Sequence, residues 1–88
     1  MFKKNIDKKF EHLGFKKVYQ SPFIVQYERK DSEFGYIQCL DLCHKRNGRH
    51  LIISYQKDIN KNGFNNTVGI SQEEADLALK KMHQLKWR

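Results

Sequence analysis

Phe2, Ile6, Phe10 and Leu13 recur at spacings of four, four and three. This is one apolar stripe of helical period. Lys3, Lys4, Asp7, Lys8, Lys9 and Glu11 take the remaining faces, and Gly14 stands where a left-handed helix cap is wanted. From residue 15 the period shortens to two. Extended segments are expected over 15–20, 23–29, 34–43 and 49–56, the first being the weakest in pattern. Ser21-Pro22 divides the first two, because proline has no ladder donor and disfavours helix before it. In the second segment Phe23, Val25 and Tyr27 fall on one face, and Ile24, Gln26 and Glu28 on the other. Asp31-Ser32-Glu33 reads as a polar turn.

Asn47-Gly48 is the clearest local signal, since this dipeptide accepts the positive φ angles of a two-residue hairpin turn. Such a turn sets Arg46 opposite Arg49, Cys43 opposite Ile52, Leu42 opposite Ile53 and Leu40 opposite Tyr55. The expected core face is then Leu40, Leu42, Leu51, Ile53 and Tyr55. The opposite face carries Ile37, Cys39, Asp41, Cys43, Ile52, Ser54 and Gln56.

Residues 57–70 read as a loop rich in Asn, Lys and Gly, with room for a short strand over 67–70. A loop this long is uncommon in a small domain. The chain then turns helical. Ser71-Gln72-Glu73-Glu74 is a capping box, with Ile70 and Ala75 at the staple positions. Ala75, Ala78, Leu79, Met82 and Leu85 form the expected buried stripe. Glu73, Glu74 and Asp76 sit at the positive end of the helix dipole, and Lys80, Lys81 and Lys86 toward its negative end. Trp87 reads as a packing anchor.

The element order is α-β-β-β-β-α. Two striped helices and a meander with one strongly apolar face predict a two-layer α+β domain. Its antiparallel sheet has three or four strands, with the N-terminal and C-terminal helices packed on the same side. At 88 residues the whole of 1–88 is one domain. Hydrophobic residues are 39%, aromatics 12% and proline a single residue, a composition able to bury a core. There is no run of about 18 apolar residues and no secretion-type leader pattern, so neither a membrane span nor export is expected. Reduced thiols in a cytoplasm are expected, because Cys39 and Cys43 on one strand stand roughly 13 Å apart, too far for a disulfide.

Cys39, Cys43, His44 and His50 invite a search for a metal site. In the two-residue register Cys39, Cys43 and His50 share a face and His44 points away. Candidates spread along a hairpin do not match the spacing of zinc ligands. Cys43 and His50 would be diagonal neighbours with Asp41 on their face, a permissible nucleophile geometry without a motif. The glycines are isolated and form no phosphate loop. No catalytic residue, metal, cofactor or small-molecule substrate is therefore expected. The thiols read as small, half-buried apolar groups.

The formal net charge is +7. Six lysines, Lys3, Lys4, Lys8, Lys9, Lys16 and Lys17, stand against Asp7 and Glu11 in the first 20 residues. Lys45, Arg46 and Arg49, with His44 and His50, crowd the hairpin turn. Lys3, Lys4, Lys8, Lys9, Lys45, Arg46 and Arg49 are thus the candidate phosphate contacts, with tyrosines nearby for stacking. Lysines on the free faces of a helix also serve simply to solvate it.

Two helices cover one face of a small sheet and leave the other. That outer face, with Ile37, Cys39, Cys43 and Ile52, is the candidate surface for a protein partner or a homodimer seam. The strand beside the 57–70 loop is a candidate open edge.

The order helix, three strands, helix resembles the double-stranded-RNA-binding domain and its small toxin relatives in topology. That domain grips phosphates with lysines at the start of its last helix, where this chain has Gln72-Glu73-Glu74. The toxin relatives place a Gly-Ser-His-type turn after a Leu-Gly-Phe. Here Leu13-Gly14-Phe15 is followed by Val18-Tyr19-Gln20-Ser21-Pro22, without histidine. Both departures weigh against RNA binding and nuclease activity. Leu13-Gly14-Phe15, Tyr27-Glu28-Arg29-Lys30, Ile70-Ser71-Gln72-Glu73-Glu74 and Leu85-Lys86-Trp87 together look like small phage or mobile-element proteins of low-GC Gram-positive bacteria. That looser resemblance spans most of the chain and implies an origin, not a mechanism. The expected function is a non-catalytic cytoplasmic binding module working through a protein partner or self-association. Nucleic-acid binding is the alternative.

Overall fold

Helix α1 (Ile6–His12) begins where Asn5 accepts a hydrogen bond from the Lys8 amide at 3.1 Å, satisfying one of the free N–H groups of the first turn. It ends at Gly14, whose φ of +91° reverses the chain into the sheet. A Cβ there would meet Arg29 Cδ at 3.0 Å, so both the backbone angle and the close approach call for glycine. The computed structural model describes residues 5–31, 35–58 and 61–87, with 31, 58 and 61–67 by backbone alone. Phe2, Lys3 and Lys4 lie outside the described residues.

Five strands follow: β1 (Lys16–Gln20), β2 (Ile24–Asp31), β3 (Tyr36–His44), β4 (His50–Asp58) and β5 (Lys61–Thr67). Helix α2 (Gln72–Gln84) closes the chain. The sheet is an antiparallel meander in the order β1-β2-β3-β4-β5. This is the two-layer α+β architecture that the pattern predicts. The core joins Ile6 and Phe10 of α1 to Val25 and Tyr27 of β2, Leu40 and Leu42 of β3, and Leu77, Ala78 and Met82 of α2. Phe10 is fully buried, stacked on Tyr27 at 4.2 Å and edge-on to Phe15 at 6.0 Å. Both helices therefore lie over one face of the sheet.

The β3–β4 turn differs from the expected two-residue hairpin. Lys45 N–H donates to Arg49 O and Gly48 N–H to Lys45 O, while Gly48 takes φ +84°. This is a three-residue loop in which glycine alone fills the left-handed position, and the Asn47 side chain accepts from the Arg49 amide. His44 then faces His50, Cys43 faces Leu51, Leu42 faces Ile52, Asp41 faces Ile53 and Cys39 faces Tyr55. One extra loop residue moves every β4 side chain to the other face. Ile52 and Ser54 thus stand on the helix side, and Ile52 packs against the core. Leu51, Ile53 and Tyr55 stand on the outer side.

Two further expectations are corrected, on the 57–70 segment and on α2. Residues 57–70 are not one long loop, because β4 runs on to Asp58 and β5 pairs with it along the edge. In α2 the buried positions are Glu74, Leu77, Ala78, Lys81 and Met82, while Leu79 is 57% exposed. Phe23 precedes β2 and keeps the face of Val25 and Tyr27, where it stacks on His44, but is 59% exposed.

Two polar networks tie the layers together. Asp7 accepts from the Tyr27 hydroxyl at 2.6 Å and pairs with Lys17 at 2.9 Å and with the buried Lys81 at 3.1 Å. Burial pushes the Asp7 carboxyl up, but the hydrogen bonds from Lys17, Tyr27 and Lys81 outweigh it and hold its pKa at about 2. Arg29 donates to Leu13 O at 2.8 Å and to Gln38, pairs with Glu74 at 3.2 Å and lies over the Phe15 ring. Glu74 also completes the α2 capping box with Ser71. Arg29 thereby joins the end of α1 to the start of α2 across the sheet.

Candidate binding surface

Strand alternation decides what the uncovered face presents. Val25, Tyr27, Leu40 and Leu42 point to the helices, so their neighbours point outward. The outer rows read Ile24–Cys43–Leu51, then Tyr19–Gln26–Asp41–Ile53, then Lys16–Glu28–Cys39–Tyr55, then Lys30–Ile37–Lys57. Tyr19 reaches this face because β1 carries a bulge, Lys17 pairing with Tyr27 and Tyr19 with Gln26, so that Val18 is the extra residue. Tyr19 is 52% exposed and Ile53 42%. Ile24, Ile37, Cys43 and Leu51 are half-buried.

Of the four residues expected on this face, Ile37, Cys39 and Cys43 are there. Ile52 is not, since the three-residue turn places it on the helix side. Cys39 is on the face but only 2% exposed. Glu28 and Tyr55 flank it, and the Lys57–Glu28 ion pair of 3.6 Å spans its row. Tyr55 stands opposite Cys39, yet its hydroxyl donates to Asp41 Oδ2 at 3.1 Å, one row away. Its ring must therefore lean along the sheet. Asp41 is 8% exposed, and its Oδ1 has no hydrogen-bond partner among the described residues.

These surroundings are not those of a reactive thiol. Burial raises the pKa of both cysteines, with Glu28 adding to it at Cys39 and Asp41 at Cys43, while Lys57 and Lys45 respectively oppose it. Both thiols are free and held in the neutral, weakly nucleophilic form. Burial, and next the Asp41 carboxylate, likewise push the Tyr55 hydroxyl up.

The histidines sit differently from the expected arrangement. His44 and His50 face each other on the helix side of the sheet, with ring centroids 5.0 Å apart. Cys43 and His50 are thus on opposite faces, and the nucleophile geometry does not form. Lys86 takes φ +59° just after α2 and turns Trp87 back, stacking it on His44 at 5.4 Å and tilting it against His50 at 6.0 Å. Phe23 lies parallel to His44 at 6.4 Å. This aromatic stack seals the hairpin end of the core, and only Trp87 of it was legible as an anchor. Among the described residues no group of three or more His, Cys, Asp or Glu is placed to hold a metal. No described helix is long and apolar enough to cross a membrane.

The basic residues divide between two elements. Lys8 and Lys9 sit on α1 in the helical layer, Lys8 exposed and Lys9 half-buried. Lys17 is taken up by Asp7. Lys45, Arg46 and Arg49 are exposed at the β3–β4 turn and, with Asn47 and Leu51, line an open concavity of about 570 Å³. Leu51 belongs to the outer face as well, so the basic turn and the apolar rows are continuous. Lys3 and Lys4 are outside the described residues.

Leu51, Ile53, Ile24, Tyr19 and Tyr55 are the surface residues that sequence reasoning missed. The signal for three of them was the turn: Gly48 preceded by Asn47 suits a type I turn with a glycine bulge as well as a two-residue turn. The molecule is thus a two-layer α+β domain whose five-stranded sheet is, among the described residues, covered by helices on one side only. Searches of protein-family models, of curated proteins and of solved structures each return no match to this chain.

Proposed function

We propose that this chain is a non-catalytic cytoplasmic binding module that works by contact with another polypeptide through the outer face of its sheet. The observation that carries the reading is the row structure of that face. Ile24, Cys43, Leu51, Ile53 and Tyr19 are contiguous on four strands, and neither helix lies over them. Contiguous apolar surface of this kind on a small domain marks an interaction site. An origin in a phage or mobile element suits a small module of this sort.

The test is site-specific photo-crosslinking in a bacterial cytoplasm, with a photoreactive residue at position 53 or, as control, at position 79. Leu79 is as exposed and apolar as Ile53 but lies on the helical layer. Discrete adducts at 53 and none at 79 are expected. Equal yields at both sites, or none at 53, would refute the reading.

One observation favours nucleic acid as a second reading: the concavity lined by Lys45, Arg46 and Arg49. Phosphate binding there shows steep salt dependence in a DNA or heparin titration. Charge reversal at Arg46 and Arg49, with Lys8 and Lys9 reversed separately, locates it. Binding indifferent to all four removes that reading.

A further inference from the structure

We propose that the occupant of the outer face is a short acidic segment of a partner protein, apolar along one side and carrying carboxylates that meet Lys45, Arg46 and Arg49. This rests on the reading of that face as a protein-contact surface and adds the chemistry of what it contacts.

Charge comes first. The two acids among the described outer-face residues are already engaged: Asp41 is 8% exposed and accepts from Tyr55, and Glu28 pairs with Lys57. Among the described residues the exposed charges around the apolar rows are basic. They are Lys45, Arg46 and Arg49 at the turn, with Lys16 on β1 and Lys30 at the far end of β2. A complementary surface is therefore apolar in the middle and acidic at its ends.

Size comes second. The four outer rows together run about 20 Å along the strands and about 14 Å across β1 to β4, from strand rise and spacing. That is roughly 300 Å², against about 800 Å² per partner in a standard stable interface. About six residues of extended chain span 20 Å. The face fits a segment better than a whole second domain.

Both points count against a second copy. Face-to-face pairing with turns aligned sets Lys45, Arg46 and Arg49 against themselves. The opposite orientation sets them against Lys30. Among the described residues like charges meet either way, on a chain whose net charge is +7. Nucleic acid would satisfy the basic turn, but single strands bind by stacking on aromatic platforms. On the outer face the turn leads first onto the aliphatic Leu51 and Ile24, with Tyr19 beyond them, while the stack of Phe23, His44, His50 and Trp87 lies on the helix side.

The test measures anisotropy of a labelled synthetic peptide of alternating glutamate and leucine, beside a lysine–leucine peptide and an oligothymidylate, with sedimentation velocity of the protein alone. The glutamate–leucine peptide is expected to bind best. Its affinity should fall about tenfold or more in each of two variants, Ile53→Asp and the pair Arg46→Glu with Arg49→Glu. Both alter exposed side chains, and circular dichroism verifies the fold. If the lysine–leucine peptide binds as well and still depends on Ile53, the acidic chemistry is wrong while the contact face stands. Oligothymidylate binding lost on the arginine changes but not on Ile53→Asp replaces the proposal with nucleic acid. A dimer abolished by Ile53→Asp replaces it with self-association. If no probe binds and the protein is monomeric, the segment proposal fails, and the position-53 crosslink decides the contact face independently.

Discussion

Replacing Asp7 with alanine removes the acceptor that three donors share: Tyr27 hydroxyl, Lys17 and Lys81. The consequence falls mainly on Lys81, whose side chain is 7% exposed. Breaking a buried ion pair by deleting one partner strands the other charge out of water and costs about 3 kcal/mol. Lys17 is 35% exposed, so Lys17→Ala should cost under about 1 kcal/mol. Against a stability of about 5–15 kcal/mol the difference is large. Urea denaturation at pH 7, followed by Trp87 fluorescence and circular dichroism, reads it directly. With a slope of about 1 kcal/mol per molar urea the Asp7→Ala midpoint should fall by about 3 M. The double change Asp7→Leu with Lys81→Met should recover only part of the loss, since it removes the stranded charge but still leaves the buried Tyr27 hydroxyl without its acceptor.

The same site gives an acid limb. The Asp7 pKa is lowered from 3.8 unfolded to about 2 folded. A depressed carboxylate contributes stability above its unfolded value, and that contribution is lost as pH falls through the folded one. About 2 kcal/mol should therefore disappear between about pH 4 and pH 2. The Asp7→Asn variant should lack that limb. If Asp7→Ala costs no more than Lys17→Ala, Lys81 is not a stranded charge and the reasoning is refuted.

Four further outcomes are expected. Ile52→Glu should unfold the domain or cost more than about 3 kcal/mol by burying a charge, while Ile53→Glu stays within about 1 kcal/mol; equal melting points would overturn the β3–β4 register. Leu77→Ala should cost about 2–4 kcal/mol and Leu79→Ala under about 1 kcal/mol, measured by thermal melts. Gly14→Ala should cost about 1–2 kcal/mol, from its φ of +91° and the approach of Arg29, and a neutral result would contradict that geometry. Lys86→Gly should raise the melting temperature by a few degrees, since the left-handed turn at 86 suits glycine better.

Much of the fold follows from local chemistry. Asn5, Gly14 and the Ser71–Glu74 box act within a turn of their own positions, so helix ends are legible without knowing the neighbours. The alternation of Val25 with Tyr27, and of Leu40 with Leu42, likewise names the core face of two strands. The basic turn at Lys45, Arg46 and Arg49 is a matter of adjacency in the chain and was also readable.

What local chemistry could not decide is phase. Leu51, Ile52 and Ile53 are apolar on both parities, so β4 fits the core in either register, and one loop residue at the turn chooses between them. That choice moved Ile52 off the outer face and put Ile53 and Tyr55 on it. Leu77 and Leu79 pose the same question in α2, answered by where α1 and the sheet lie. The strand at 61–67 has a polar composition, and the open edge of β4 gives it a backbone to pair with. Asp7, Lys81 and Arg29 sit far apart in sequence, and only packing brings them to their partners. Sequence alone determined the two helices, their caps, the first four strands and the two-layer class, because those depend on neighbours along the chain. Tertiary structure decided which β4 side chains face the helices and which face away from them, because that depends on a register set by contacts across the sheet.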